Sequence, residues 1–269
     1  MNATAPAKLN LALVVGPVRD DGKHELLTVY QRLALADEIE LEIAPVLRVD
    51  GFAEDTLVRA ALEELAGQAG VEPNWHVRIE KRVPVAAGVG GGSSDAATAL
   101  RLANDTLAEP LAPAQLHELA ATLGADVPFF LAEGPQLGSA DGGTLAPLDL
   151  PQGFAVLLVV PDAARKSSTR DVYAAFDARA GAAGWEERRA ALFAALERVQ
   201  RPHDLAALPP NDLASSPLAD ELRALGAFRA DVTGAGPAVY GLFDDEAAAQ
   251  AAEHSLEGSG STFRTMPAW

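Results

Sequence analysis

The chain has 269 residues, 49% of them apolar, and a net charge of −17, enough for one large hydrophobic core or two smaller ones. Cysteine is absent, which excludes disulfide frameworks, thiolate metal sites and cysteine nucleophiles, and the acidic balance argues against a surface that tracks nucleic-acid phosphates. The histidines lack zinc-site spacing, and apolar runs such as Phe154–Val160 fall far short of the ~20 residues that a membrane span needs. No basic segment precedes a long apolar stretch near Met1, so a cytoplasmic protein without signal peptide, membrane or nucleic-acid partner is expected.

Leu9, Leu11, Leu13 and Val15 alternate with small or polar residues, as in a half-buried strand. Asp21-Gly22 is a turn signal, and Ile39, Leu41 and Ile43 form a second alternation. Helical spacing from Thr56 stops at Gly70, and a strand fits Trp75–Ile79. A glycine cluster and an alanine-rich helix from about Ser94 to Leu107 follow, and Pro113 to Gly124 frames another helix. Proline, glycine and aspartate over 147–153 mark a domain boundary near residue 150, dividing 1–150 from 151–269. Beyond it come the strand Phe154–Val160, helices near Ser168–Ala180 and Trp185–Gln200, and another helix past Asn211-Asp212. Strands around a glycine turn at Val232–Phe243, a short helix from Asp245 and a last strand close the chain. Strand pairs mixed with helices indicate an α+β fold.

The most informative stretch is Pro84-Val85-Ala86-Ala87-Gly88-Val89-Gly90-Gly91-Gly92-Ser93-Ser94, between a strand and a helix. Its glycines allow positive φ and close backbone approach, and the helix after it turns unpaired N–H groups and its positive dipole end toward the loop. Together these suit a phosphate. No lysine lies here, so the loop is not a Walker motif, and the spacing departs from the dinucleotide fingerprint. Without a ligand, such a loop is a tight turn. Ser93 or Ser94 is expected to cap the helix.

The run Gly90-Gly91-Gly92-Ser93-Ser94-Asp95-Ala96-Ala97 resembles the phosphate loop of the GHMP kinases. Further blocks resemble that family in its own order: Pro6–Leu11, Asp20–Leu26, Gly124–Phe130 and Thr233-Gly234-Ala235-Gly236-Pro237. They are most similar to the branch whose acceptor is a cytidine diphosphate-linked methylerythritol. The resemblance implies a two-domain fold, with an S5-like nucleotide-binding domain and a ferredoxin-like α/β sandwich, in an ATP-dependent kinase using Mg²⁺. A monomer or weak homodimer is expected. Other readings are a GHMP kinase for homoserine, a sugar or a mevalonate-type alcohol, or a non-catalytic nucleotide-binding relative.

By resemblance, Asp126 takes the acceptor's proton with Lys8 beside it, and residues 84–94 hold ATP. Asp126 also suits a helix cap before Val127-Pro128, and Lys8 alone reads as an ordinary solvated lysine. Asn10 shares the face of Lys8 in a regular strand and is placed on the acceptor, or is a strand-edge amide. His24 matches the family's cytosine-reading histidine, against the bland reading of a surface histidine in a turn. Tyr173 matches an aromatic that stacks on the base, against a core residue. Thr233, Gly234 and Gly236 form a wall near the phosphates, or an ordinary hairpin turn. Ser94 is a candidate Mg²⁺ contact, and Asp95 is expected to face away from the nucleotide or to meet that ion. Lys23 departs from the pattern, since the family usually carries tyrosine there; its stem is expected on the base or its charge on the diphosphate. Ala86-Ala87 replace glycines common at that point.

Overall fold

The computed structural model describes residues 1–52, 57–162 and 168–268. In chain order the elements are β1 (Asn2–Val18), β2 (His24–Ile43), β3 (Arg48–Asp50), α1 (Leu57–Ala69), β4 (Trp75–Glu80), α2 (Gly91–Asn104), α3 (Pro113–Leu123) and α4 (Val127–Leu131). Then follow β5 (Gln136–Ala140), β6 (Thr144–Pro147), β7 (Ala155–Val160), α5 (Thr169–Ala178), α6 (Trp185–Leu196) and a 3-10 turn (Pro202–Ala207). The last are α7 (Pro217–Ala224), β8 (Arg229–Val232), β9 (Val239–Phe243), α8 (Glu246–Ser255) and β10 (Ser261–Thr265). Thr56, the expected start of α1, lies outside the described residues. No helix among them is long and apolar enough to cross a membrane.

The chain divides into two compact units, each assembled from several stretches of sequence. One comprises Met1–Ala7, Leu35–Val85 and Gly90–Glu133; the other comprises Lys8–Ala34, Ala86–Val89 and Gly134–Trp269. The cause is the length of the opening strands: β1 has 17 residues and β2 has 20, so each contributes to both units.

In the first unit the far half of β2 pairs antiparallel with β4, from Glu38 opposite Glu80 to Ile43 opposite Trp75, and β3 joins β4 in parallel. Trp75, Val77 and Ile79 alternate inward on β4, as period 2 requires. α2 packs on α1 and α4. Its buried residues include four alanines (Ala96, Ala97, Ala99, Ala103), whose small side chains suit close helix approach and favour the helix itself. α3 opens as its residues dictate, with Pro113 at the first position and the Gln115 side chain accepting from Ala112 N–H at 3.0 Å.

In the second unit the near half of β2 pairs with β5, Leu26 opposite Ala140 through Tyr30 opposite Gln136, and β5 pairs with β6. A separate antiparallel sheet runs β10-β7-β9-β8. α7 and α8 pack on it, closing a core of Leu157, Val159, Leu222, Val239, Phe243 and Ala249. β7 is apolar at every position and buried throughout save its last residue, as a central strand should be. Ser168 and Asp245 cap α5 and α8, accepting from Asp171 N–H at 3.1 Å and Ala248 N–H at 2.8 Å. β1 departs from the half-buried expectation. From Ala7 to Gly16 it is buried on both faces, so the polar face carrying Lys8 and Asn10 is enclosed too.

Candidate active site

α2 begins at Gly91, inside the glycine cluster, with Gly90 as N-cap in the left-handed region at φ 75°. Ser94 N–H closes the first turn onto the Gly90 carbonyl at 2.9 Å, so the N–H groups of Gly91, Gly92 and Ser93 precede the first helical hydrogen bond. The expected serine cap is therefore not formed. Ser93 and Ser94 lie within the first turn, and the N-cap makes no side-chain hydrogen bond. Ser94 is fully buried, and its Oγ has no hydrogen-bond partner. A Cβ on Gly92 would meet nothing within 4 Å, so the helix is open to approach there.

Beneath this turn lies a charged cluster that sequence reasoning missed. Lys81 Nζ donates to Asp37 Oδ2 at 2.5 Å and to Asp95 Oδ2 at 2.7 Å. Both carboxylates are fully buried. Asp37 Oδ1 also accepts from the N–H groups of Arg82 at 2.6 Å and Val83 at 2.8 Å, tying down the segment that leads into the loop. Burial pushes the Asp95 carboxyl up to about 7 against the pull of Lys81. Burial works against the Lys81 charge as well, but hydrogen bonds to both carboxylates outweigh it and hold the ammonium above the usual lysine range. Asp95 is thus buried; its Oδ2 is committed to Lys81, while its Oδ1 has no hydrogen-bond partner. No sequence signal marks a buried aspartate in a strand such as Asp37.

Asp126 belongs to the same unit and occupies the N-cap position of α4, which packs on α2. The capping grammar is present, but its side chain makes no capping hydrogen bond.

In the second unit, loop residues 86–89 are fastened by backbone bonds: Lys8 N–H to the Val89 carbonyl at 2.9 Å, and Ala238 N–H to the Ala87 carbonyl at 3.0 Å. Gly88 adopts φ 86°, and a Cβ there would lie 2.6 Å from the Thr233 carbonyl oxygen, so only glycine fits. Ala86 adopts φ 61°, a left-handed position that glycine suits better.

Lys8 is only 2% exposed, not a solvated lysine. Its Nζ donates to Asn10 Oδ1 at 2.5 Å and lies 5.6 Å from the centre of the Tyr30 ring. Asn10 Nδ2 donates to Thr28 Oγ1 at 2.7 Å, and Asn10 N–H donates to Thr233 Oγ1 at 3.1 Å. A Cβ on Gly234 would sit 3.6 Å from Lys8 Nζ and 3.1 Å from the Gly88 carbonyl oxygen, so the late glycine turn packs directly against both. Asn211 supports that turn from behind, donating to the carbonyls of Val232 at 2.9 Å and Gly234 at 2.7 Å.

The same unit brings His24 and Tyr173 together, with ring centroids 5.1 Å apart and planes 23° from parallel. His24 is buried and begins β2, contrary to the surface-turn reading. Its Nδ1 bonds the Gly16 carbonyl at 2.8 Å, and its Nε2 lies 3.2 Å from Asp177 Oδ1, a partner the sequence did not suggest. Phe176 meets the ring edge-on. Tyr173 is half-buried against Leu13, Val15 and Leu213, so it is both a core-edge residue and a stacking partner. Lys23 is exposed, and its ammonium is paired with Asp141 at 2.6 Å. The hydrogen bond from Lys23 holds that carboxyl below the usual range.

Comparison with known proteins shows the family. Residues 56–134 match the family model "GHMP kinases N terminal domain", and residues 185–261 match "GHMP kinases C terminal". A 4-diphosphocytidyl-2-C-methyl-D-erythritol kinase of Anaeromyxobacter sp. (strain Fw109-5) is 37% identical over 271 residues, spanning 95% of this chain and 86% of that protein. One of Chlorobium chlorochromatii (strain CaD3) is 34% identical over 98% of this chain and 95% of its own. A crystal structure of 4-(cytidine 5'-diphospho)-2C-methyl-D-erythritol kinase superimposes with a TM-score of 0.81, at 30% identity and complete coverage of both chains. The glycine loop and the near-full-length identity converge on one assignment: this chain belongs to the GHMP kinases, in the branch of the 4-diphosphocytidyl-2-C-methyl-D-erythritol kinases.

Proposed function

We propose that this chain transfers the γ-phosphoryl group of ATP to the 2-hydroxyl of 4-diphosphocytidyl-2-C-methyl-D-erythritol, a step in isoprenoid precursor synthesis. The observation that carries the reading is the buried ammonium of Lys8, seated against the Gly234 turn, on a residue whose own backbone N–H binds the glycine loop.

The chemistry asks little covalent work of the protein. The acceptor oxygen attacks the γ-phosphorus, the bond to the β,γ-bridging oxygen breaks, ADP leaves and the hydroxyl proton must be taken up. Asp126 is the proposed proton acceptor. Its support is its place at the head of α4, packed on the helix that the glycine loop opens. Deprotonation comes late in a loose transition state, so the proton need not leave before the phosphoryl group moves. Lys8 is the proposed stabiliser of charge spreading over the γ-phosphate oxygens. Residues 84–94 are assigned to ATP, with the first-turn N–H groups of α2 meeting phosphate oxygens. Thr233, Gly234 and Gly236 form the proposed wall.

Mg²⁺ is expected with the nucleotide, screening its phosphates. Among the described residues no three acidic or histidine side chains form a metal site, which suits an ion held mainly by substrate phosphates. The hydroxyl of Ser94, which has no hydrogen-bond partner, is the proposed protein contact to it.

For the acceptor's cytosine we propose the cluster of His24 and Tyr173, with Lys23 at its edge and Asn10 toward the hydroxyls. Their support is that the first pair stack on one another and that Asn10 adjoins Lys8. The test is phosphoryl transfer from ATP to this acceptor, measured against homoserine and mevalonate. A clear preference for either of the latter would overturn the acceptor assignment. Asp126→Asn should lower kcat by about 10²–10⁴ and leave ATP binding intact.

A further inference from the structure

We propose that Thr28 is a positioning residue for phosphoryl transfer: its hydroxyl dictates which end of the Asn10 amide faces Lys8. The inference rests on the assignment of Lys8 to the transferred phosphoryl group.

The argument is one of donors and acceptors. The Thr28 hydroxyl has a single proton, and it is given to the Ala12 carbonyl at 2.9 Å. Toward Asn10 the same oxygen can then only accept, so the end of the amide that meets it at 2.7 Å must be the NH₂ group. The amide oxygen is thereby turned to the other side, where it receives the Lys8 ammonium at 2.5 Å. Thr28 is fully buried and Asn10 is 4% exposed, so water cannot substitute for either partner. Reversing the amide would set two N–H donors against a cation. Thr233 Oγ1, 3.1 Å from Asn10 N–H, holds the backbone of the same residue and completes the fixation. Thr28 therefore aims the ammonium of Lys8 through Asn10 without itself touching a substrate.

Thr28→Val keeps the shape and removes the acceptor. We expect kcat to fall about tenfold or more, with KM for ATP changed less than about twofold, and Thr28→Ser to restore most of the rate because the oxygen returns. Parallel melting curves separate this from a loss of fold. A folded Thr28→Val enzyme with parental kcat, or a Thr28→Ser enzyme as slow as Thr28→Val, would overturn the proposal. Lys8→Met is measured alongside. If it retains full activity the assignment of Lys8 itself fails, whereas an inactive Lys8→Met beside a normal Thr28→Val rejects only the role of Thr28. Should Thr28→Val fail to fold, Asn10→Asp decides the matter. It offers oxygen at both ends, so it should tighten the hold on Lys8 but clash with the Thr28 oxygen unless the hydroxyl turns from Ala12. A rate indistinguishable from the parent would then reject the amide orientation as a determinant.

Discussion

Lys81 bridges Asp95, in the first turn of α2, and Asp37, which grips the backbone just before the glycine loop, at 2.7 and 2.5 Å. One cation neutralises one of two buried carboxylates and ties the loop's entry to the helix at its exit. Lys81→Met would leave both acids unpaired. Breaking such a buried pair costs about 3–5 kcal/mol, so urea unfolding should show a loss of that size at neutral pH. A loss under about 1 kcal/mol would mean that the cluster is solvated in solution.

The same cluster predicts a pH dependence. The Asp95 carboxyl is raised from 3.8 to about 7 in the folded protein. The folded state thus holds this proton more tightly than the unfolded chain does. The stability linked to it is complete below about pH 4 and disappears as pH climbs through 7. Asp95→Asn removes the titration, so its unfolding free energy should fall less than the parent's between pH 5 and pH 8. Equal slopes for the two proteins would contradict the assignment.

Two glycines of the loop should respond oppositely to alanine. At Gly88 the new Cβ would sit 2.6 Å from a backbone oxygen, in a left-handed conformation, and a loss of at least about 2 kcal/mol is expected. At Gly92 the Cβ meets nothing, and a helical glycine-to-alanine change should stabilise by about 0.5–1 kcal/mol. Yet Gly92→Ala should raise KM for ATP, because the methyl stands where phosphate is proposed to approach. A more stable variant with unchanged KM would place the nucleotide elsewhere.

The stack of His24 on Tyr173 supports a test of acceptor binding. Tyr173→Ala should raise KM for the cytidine-linked acceptor about three- to tenfold, the range expected for losing an aromatic pair, while KM for ATP stays put. Tyr173→Phe should behave nearly as the parent.

His76 sits between Glu42 at 2.9 Å and Asp50 at 2.8 Å, and hydrogen bonds to Glu42 and then Asp50 raise its pKa above the usual 6.5. Its contribution to stability is therefore present below pH 6.5 and fades as pH passes the folded value. An NMR titration of His76 with a midpoint below 6.5 would contradict this geometry.

What could be read from the residues alone was whatever depends on local chemistry. The serine and aspartate caps of α5 and α8, the Asp21-Gly22 turn, the proline-started α3 and the glycine loop before a helix all follow from rules that act over a few residues. Pairings over long distances did not show. β5 and β6 carry little apolar alternation; β5 exists because Leu26–Tyr30 on β2 offer it a partner, and β6 because β5 does. Where Ser93 and Ser94 looked like caps, the N-cap is Gly90, three residues before the first of them, because glycines accept the strained entry and leave the serines inside. Lys8 was legible only through a motif. Its burial, and the Asn10 and Thr28 side chains that orient it, arise because β1 is covered on both faces, and burial is a property of the packed chain. The Asp37–Lys81–Asp95 cluster is the clearest case. Residues 44 and 14 positions from Lys81 become one electrostatic unit only after β2, β4 and α2 are assembled, since charges that water would screen in the open chain are decisive once it is excluded.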